Sequence, residues 1–202
     1  MAIQPTNREI HSQEIRKKIL VTAQEMFREY GYEDVGMKDI AAAVGATTGM
    51  LYHHFRSKED ILAHIPQLHV KELAPVVETL LAKEDSMEAI TEFLVDIMGK
   101  RVLDEGVMYT KHRITNVLHM DHRGIVDSTV TALLNKAQKQ GRLIPDYSLE
   151  EIADFLISIF RGAVYYYAAS NGQFDLQPIL RQRLAIGMTA VTIPKALSLI
   201  HI

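Results

Sequence analysis

Residues 38–58, KDIAAAVGATTGMLYHHFRSK, crowd hydroxyls, imidazoles and cations beside a glycine turn. Ile40, Ala41 and Val44 recur at i, i+1 and i+4, the short apolar stripe of one helix. Ala41 is small enough for a second helix to cross close over it. Gly45 stands where the first helix must stop, because glycine takes positive φ at little cost. Thr47 is placed to cap the next helix by accepting from a backbone N–H, with Thr48 as the alternative cap. That helix, expected over 48–54, turns Leu51 and Phe55 inward and leaves Thr48, Gly49, Tyr52 and His53 outward. Gly49 lets the backbone approach a duplex, and Tyr52 brings a hydroxyl to a phosphate or base edge. Ser57 and Asp60 form a capping box for a further helix, and Lys58 in its first turn suits a phosphate. Two short helices around a glycine turn read as a helix-turn-helix, whose second helix lies in the DNA major groove. The expected DNA-contacting residues are Lys38, Thr47, Thr48, Gly49, Tyr52, His53 and Lys58.

A longer amphipathic helix over 13–30 must back this pair. Ile15, Ile19, Ala23, Phe27 and Tyr30 repeat at roughly helical spacing, Leu20 and Met26 flank the stripe, and Gly31 ends it. The expected organisation is all-α. A three-helix helix-turn-helix domain occupies residues 1–56, and a helical effector-binding and dimerisation domain occupies 57–202.

The run IRKKILVTAQEMFREYGYEDVGMKDIAAAVGATTGMLYHHFRSKEDIL resembles the N-terminal domain of the TetR family of transcriptional regulators. The family pattern is matched by Phe27, Gly31, Tyr32, Ile40, Ala41, Gly45, Gly49, Tyr52, His54, Phe55, Lys58 and Leu62, across about a quarter of the chain. In the family the His54 position mainly buttresses the turn. The chain departs from the pattern at Gly36 and Met37, where a capping Thr or Ser is usual, and at Met50, which replaces a small hydroxyl residue. Those departures forbid copying an operator preference from relatives.

Composition narrows the class. The chain has 202 residues, no cysteine and a formal net charge of −3. Disulfides and cysteine zinc sites are excluded, and a reducing cytoplasm is the expected location. The opening MAIQPTNREI has no apolar leader core, and no run of about 20 apolar residues predicts a membrane span. Residues 1–60 hold eight Lys and Arg against nine Asp and Glu. DNA contact therefore rests on local cations, Lys38, Arg56 and Lys58 with Arg8, Arg16 or Lys17, and two domains must bind together. An enzyme is the competing class. The chain has no Gly-rich phosphate loop, nucleophile elbow or HExxH motif, and no cofactor is expected.

About six helices are expected beyond residue 60. The first, 58–81, contains Pro66 and Pro75, which should kink or interrupt it, as a signalling hinge or as a plain helix break. Helices follow at 86–104 (capped by Asp85 or Ser86), 107–118 and 121–140. The last two are 148–170, opened by a Ser148–Glu151 capping box, and 176–192, capped by Asp175 and ended by Pro194.

The resemblance implies a small-molecule pocket in this body. Its expected lining is Phe93, Ile97, Arg101, Tyr109, Arg113, Val117, Phe160, Arg161 and Tyr165, with Tyr166 beside them. Arg161 interrupts an apolar run, so it needs an internal partner such as Asp127 or Asp154, or an anionic ligand. The resemblance also implies a homodimer built on the last two helices. The expected interface is Phe155, Ile159, Leu180, Leu184, Met188 and Val191. His112, His119, Asp121 and His122 form a loose group whose spacing is too open to define a metal site. The implied function is a repressor. It binds a palindromic double-stranded operator and is released by a mostly hydrophobic effector. A regulator without an effector, or an activator, is the alternative.

Overall fold

A computed structural model describes residues 6–117 and 124–193 of the chain. Every element among them is helical: α1 (Asn7–Tyr30), α2 (Met37–Val44), α3 (Thr48–His54), α4 (Lys58–His64), α5 (Pro66–Ala82), α6 (Ser86–Thr91), a π-helical segment (Glu92–Gly99), α7 (Lys100–Glu105), α8 (Val107–Val117), α9 (Ile125–Lys139), α10 (Leu149–Ala169) and α11 (Leu176–Val191). One isolated antiparallel bridge joins Leu143 to Thr192.

The described residues fall into two compact units. The first runs to Glu72 and includes α8 from His112 onward, so it extends past the expected boundary at residue 56. The physical reason lies in α4, which packs on α1. Ile61, Leu62 and Ile65 are fully buried, so α4 belongs to the core that α1 begins. That core also holds Ile19, Ala23, Phe27, Ile40, Leu51 and Phe55.

α1 starts earlier than expected. Thr6 and Glu9 form a capping box ahead of Asn7, with the Thr6 N–H donating to Glu9 Oε2 at 2.7 Å. The expected 58–81 helix is divided. α4 ends at His64, and Pro66 occupies the first position of α5, where its missing N–H costs nothing. Pro75 lies inside α5 without ending it.

The second unit comprises residues 73–111 and the described residues from 124 on. α10 packs on α9 and α11, α6 packs on α9, and the π segment packs on α11. Ile90, Phe93, Leu94, Leu133, Leu134, Ile152, Leu156, Leu180 and Leu184 build its core. The expected 86–104 helix forms, but its middle is π-helical. The widened turn frees the Val95 carbonyl, which accepts from Gln177 Nε2 at 3.1 Å. α10 and α11 meet closely at Gly187, where a Cβ would lie 2.5 Å from Ile159 Cδ1. The Ser148–Glu151 capping box is present. Asp175 precedes α11 but its side chain makes no capping bond. His119, Asp121, His122 and Pro194 lie outside the described residues.

Candidate nucleic-acid interface

α2, α3 and the turn between them are set by two local bonds and one glycine. Gly36 N–H donates to Asp39 Oδ2 at 2.8 Å, opening α2. Gly45 closes it in the left-handed region, φ 73°. Thr47 Oγ1 then accepts from Met50 N at 3.2 Å and opens α3. Leu51 and Phe55 face inward.

α1 holds the other ends of both helices. Arg16 Nη1 donates to the His54 carbonyl at 2.8 Å, and its guanidinium rests 4.2 Å from the centre of the Phe55 ring. Lys18 Nζ donates to the Val44 carbonyl at 2.9 Å. Each is a cation at a helix C-terminus, where the backbone dipole favours positive charge by about 0.3–1 kcal/mol at an exposed position. Sequence reading placed Arg16 among possible DNA cations and left Lys18 unassigned. Only the fold brings these residues to carbonyls 38 and 26 positions away.

The entry to α4 is fixed from the Tyr32 side. Lys58 Nζ donates to the Tyr32 carbonyl at 2.6 Å and lies over its ring, 4.2 Å from the centre. Tyr32 Oη donates to Glu59 Oε1 at 3.1 Å. Burial, then the Glu59 charge, pushes the Tyr32 phenol well above its ordinary value, so it stays a donor. Bonds from the Ser57 hydroxyl and the backbone hold the Glu59 carboxyl below its usual range. The His112 ring lies 4.3 Å from that of Tyr32, and His112 Nε2 is 3.2 Å from Glu33 Oε1.

The outward face is what this framing leaves in solvent. Gly49, Met50, Tyr52 and His53 are exposed, Thr48 is half-buried, and Thr47 and Lys38 are exposed. Lys58 is half-buried. An ammonium has three donors and one serves Tyr32, so two are left for a phosphate. His53 and His54 meet edge to face at 5.4 Å. Burial first, then His53 and Arg16, lowers the His54 pKa from 6.5, which keeps the imidazole neutral near pH 7.

The expected pocket residues separate. Phe93, Tyr109 and Phe160 are buried, while Ile97 and Arg101 are half-buried. Arg113 and the end of α8 at Val117 fall in the first unit, and the Val117 side chain lies outside the described residues. Arg161 is exposed and pairs with both oxygens of Asp127 at 2.9 Å, one of the two expected internal partners, though in solvent its charge does not require one. Tyr165 is 62% exposed, so the structure places neither Arg161 nor Tyr165 in the interior.

The expected interface separates too. Leu180, Leu184 and Val191 are buried within the monomer, because α11 turns that face toward α10, the π segment and α6. They are therefore core residues. Phe155 is exposed, and Ile159 and Met188 are half-buried. Ile186, exposed by 66%, and Tyr166 are large apolar side chains open to solvent on α11 and α10. On α11, Ile186 stands ~200° round from Leu184, on the opposite side of the helix, a phase that composition alone does not report. Among the described residues, no group of three His, Asp or Glu could hold a metal ion, and no helix is long and apolar enough to cross a membrane.

A capped, glycine-turned helix pair with a polar outer face defines a helix-turn-helix DNA-binding regulator. Residues 19–65 match the family model described as bacterial regulatory proteins, tetR family. Residues 19–65 thus carry a TetR-family DNA-binding domain, and along most of its length the chain is similar to named transcriptional regulators of that family. It is 23% identical over 170 residues to the transcriptional repressor AcnR of Corynebacterium diphtheriae, covering 82% of this chain and 87% of that protein. It is 28% identical over 165 residues to the transcriptional regulator UidR of Escherichia coli K12, covering 78% and 84%. The crystal structure of Thermus thermophilus FadR, a repressor in complex with lauroyl-CoA, shares the fold. Its TM-score is 0.72 at 20% identity, covering 89% of this chain and 96% of that one. A SmeT–triclosan complex matches with a TM-score of 0.62 at 18% identity, covering 91% and 94%.

Proposed function

We propose that the chain is a repressor that binds a palindromic operator as a homodimer and is released by a small, mostly hydrophobic effector. The observation that carries this reading is the exposed Gly49–Tyr52–His53 face of α3, with the helix held from behind by Arg16. Lys38, Thr47, Thr48 and Lys58 complete the DNA-contacting set. A weak overall charge gives little non-specific attraction, so two reading heads must act together, one DNA turn or ~34–36 Å apart. Phe155, Ile159, Tyr166 and Ile186 supply the pairing face of α10 and α11. An effector site in the second unit draws on Phe93, Ile97, Arg101, Tyr109 and Phe160. The lauroyl-CoA and triclosan bound by FadR and SmeT support an apolar occupant. α5 contributes residues to both units, so it is the covalent route by which an occupant would bias the DNA-binding state. The effector must bind the DNA-incompetent state better, and DNA must weaken effector binding by the same factor.

The test is a footprint on duplexes selected from a random pool, with lauroyl-CoA and triclosan as effector probes. Protection of two half-sites in symmetric array, lost on adding either probe, is the expected result. Protection without symmetry would remove the homodimer, and protection unmoved by both probes would remove this effector class.

A further inference from the structure

Met50 is 42% exposed on the outer side of α3. Its backbone N–H donates to Thr47 Oγ1 at 3.2 Å, so the first turn fixes where the side chain starts. Met50 and His53 are i, i+3 neighbours on one face, with Gly49 and Tyr52 exposed beside them. The face thus offers a phenol, an imidazole and a single long apolar tip. A thioether has no donor for a phosphate oxygen. In the major groove, the apolar feature that distinguishes base pairs is the C5-methyl of thymine. An unbranched, polarisable side chain with three rotatable bonds can follow that methyl without a fixed geometry.

We infer that Met50, the exposed apolar side chain on the outer face of α3, is a specificity-determining residue that reads the C5-methyl of one thymine in each operator half-site. This rests on the operator-binding reading above and goes beyond it by naming the base feature and the side chain that selects it. The contact exchanges water for apolar surface on both partners. It discriminates thymine from cytosine by the methyl together with the flanking polar contacts.

The experiment replaces each thymine of a selected operator in turn by deoxyuracil, which deletes only the methyl. Affinity is measured by fluorescence anisotropy for the full chain and for Met50→Ala. One thymine per half-site should show a loss of about fourfold for each methyl removed, the equivalent of ~0.8 kcal/mol. Met50→Ala should bind the thymine operator more weakly and show no further loss on uracil substitution at that position. 5-Methylcytosine in place of cytosine at the same position should recover part of the affinity for the native chain only. Binding insensitive to uracil at every position, or equal uracil losses in both proteins, would overturn the inference while leaving operator binding intact. Failure to enrich any duplex would instead remove the operator reading, and this inference with it. Met50→Ala keeps a good helix former at an exposed position, so loss of fold does not confuse the comparison.

Discussion

In the first unit both ends of α2 and α3 are held by polar groups, whereas α9 and α11 of the second unit start without a side-chain cap and rest on apolar faces. Asp39 and Thr47 open α2 and α3, and Lys18 and Arg16 close them. In the second unit α9 begins at Gly124 and α11 at Asp175 without a side-chain cap, while their buried stripes, Val130–Leu133–Leu134 and Leu180–Leu184, supply the packing. The difference follows from length. Helices of seven or eight residues bury one to three apolar side chains and depend on their termini. Longer helices bury a full stripe: α9 and α11 do without a side-chain cap, while α10 keeps its Ser148–Glu151 box. A reading head must hold a few side chains in fixed positions, and saturating its helix ends does that.

The largest expected effect tests the apolar side of this contrast. Phe155→Glu with Ile186→Glu puts two carboxylates on the exposed side of α10 and α11, and Ile186→Glu alone, at the more exposed position, spares the Phe155 contact with Gly187. Sedimentation should show a monomer, with operator affinity lowered by roughly a hundredfold, since burying unpaired charge costs several kcal/mol. A dimer that persists would move the interface elsewhere. Next is Arg16→Met, which keeps the stem over Phe55 but leaves the His54 carbonyl without its charged donor. Urea denaturation should show a loss of about 1–3 kcal/mol, with weaker operator binding. Lys18→Met should cost less, about 0.3–1 kcal/mol, because its ammonium is exposed.

The helix-turn-helix was legible because its signals are local. Gly45, Thr47 and the Ser57–Asp60 pair lie within a few residues of what they terminate or cap, and the structure places α3 at the expected 48–54. The clamp by Arg16 and Lys18 was not legible, because a basic run on α1 reads equally well as a DNA-facing patch. The buried role of Leu180, Leu184 and Val191 was illegible for a related reason. An apolar stripe shows that a face is covered but not whether its own chain or a second copy covers it. The π-helical turn at 92–99 leaves no period in so short a segment, and Pro75 sits in α5 against the usual expectation of a break.

Two smaller effects sharpen the comparison. The His54 pKa is lowered in the folded chain, so the unfolded chain binds the extra proton as acid is added. The neutral imidazole therefore contributes stability that is present above its ordinary value of 6.5 and is lost as pH falls below it. His54→Gln should flatten that part of the stability–pH curve, read by thermal melts between pH 7.5 and 5. An unchanged slope would assign the dependence to other histidines. Arg161→Leu should change stability by less than about 1 kcal/mol, since an exposed pair with Asp127 contributes little. It should also leave effector binding unchanged in a calorimetric titration.

The central claim is that the outer face of α3, held by α1, reads DNA sequence. Selection from a random duplex pool, run in parallel with the native chain and Tyr52→Ala, tests it directly. The native chain should enrich a two-fold symmetric site, and Tyr52→Ala should bind that site roughly tenfold or more weakly with its helical content unchanged. Enrichment of no site, or equal affinity in the two proteins, would contradict it.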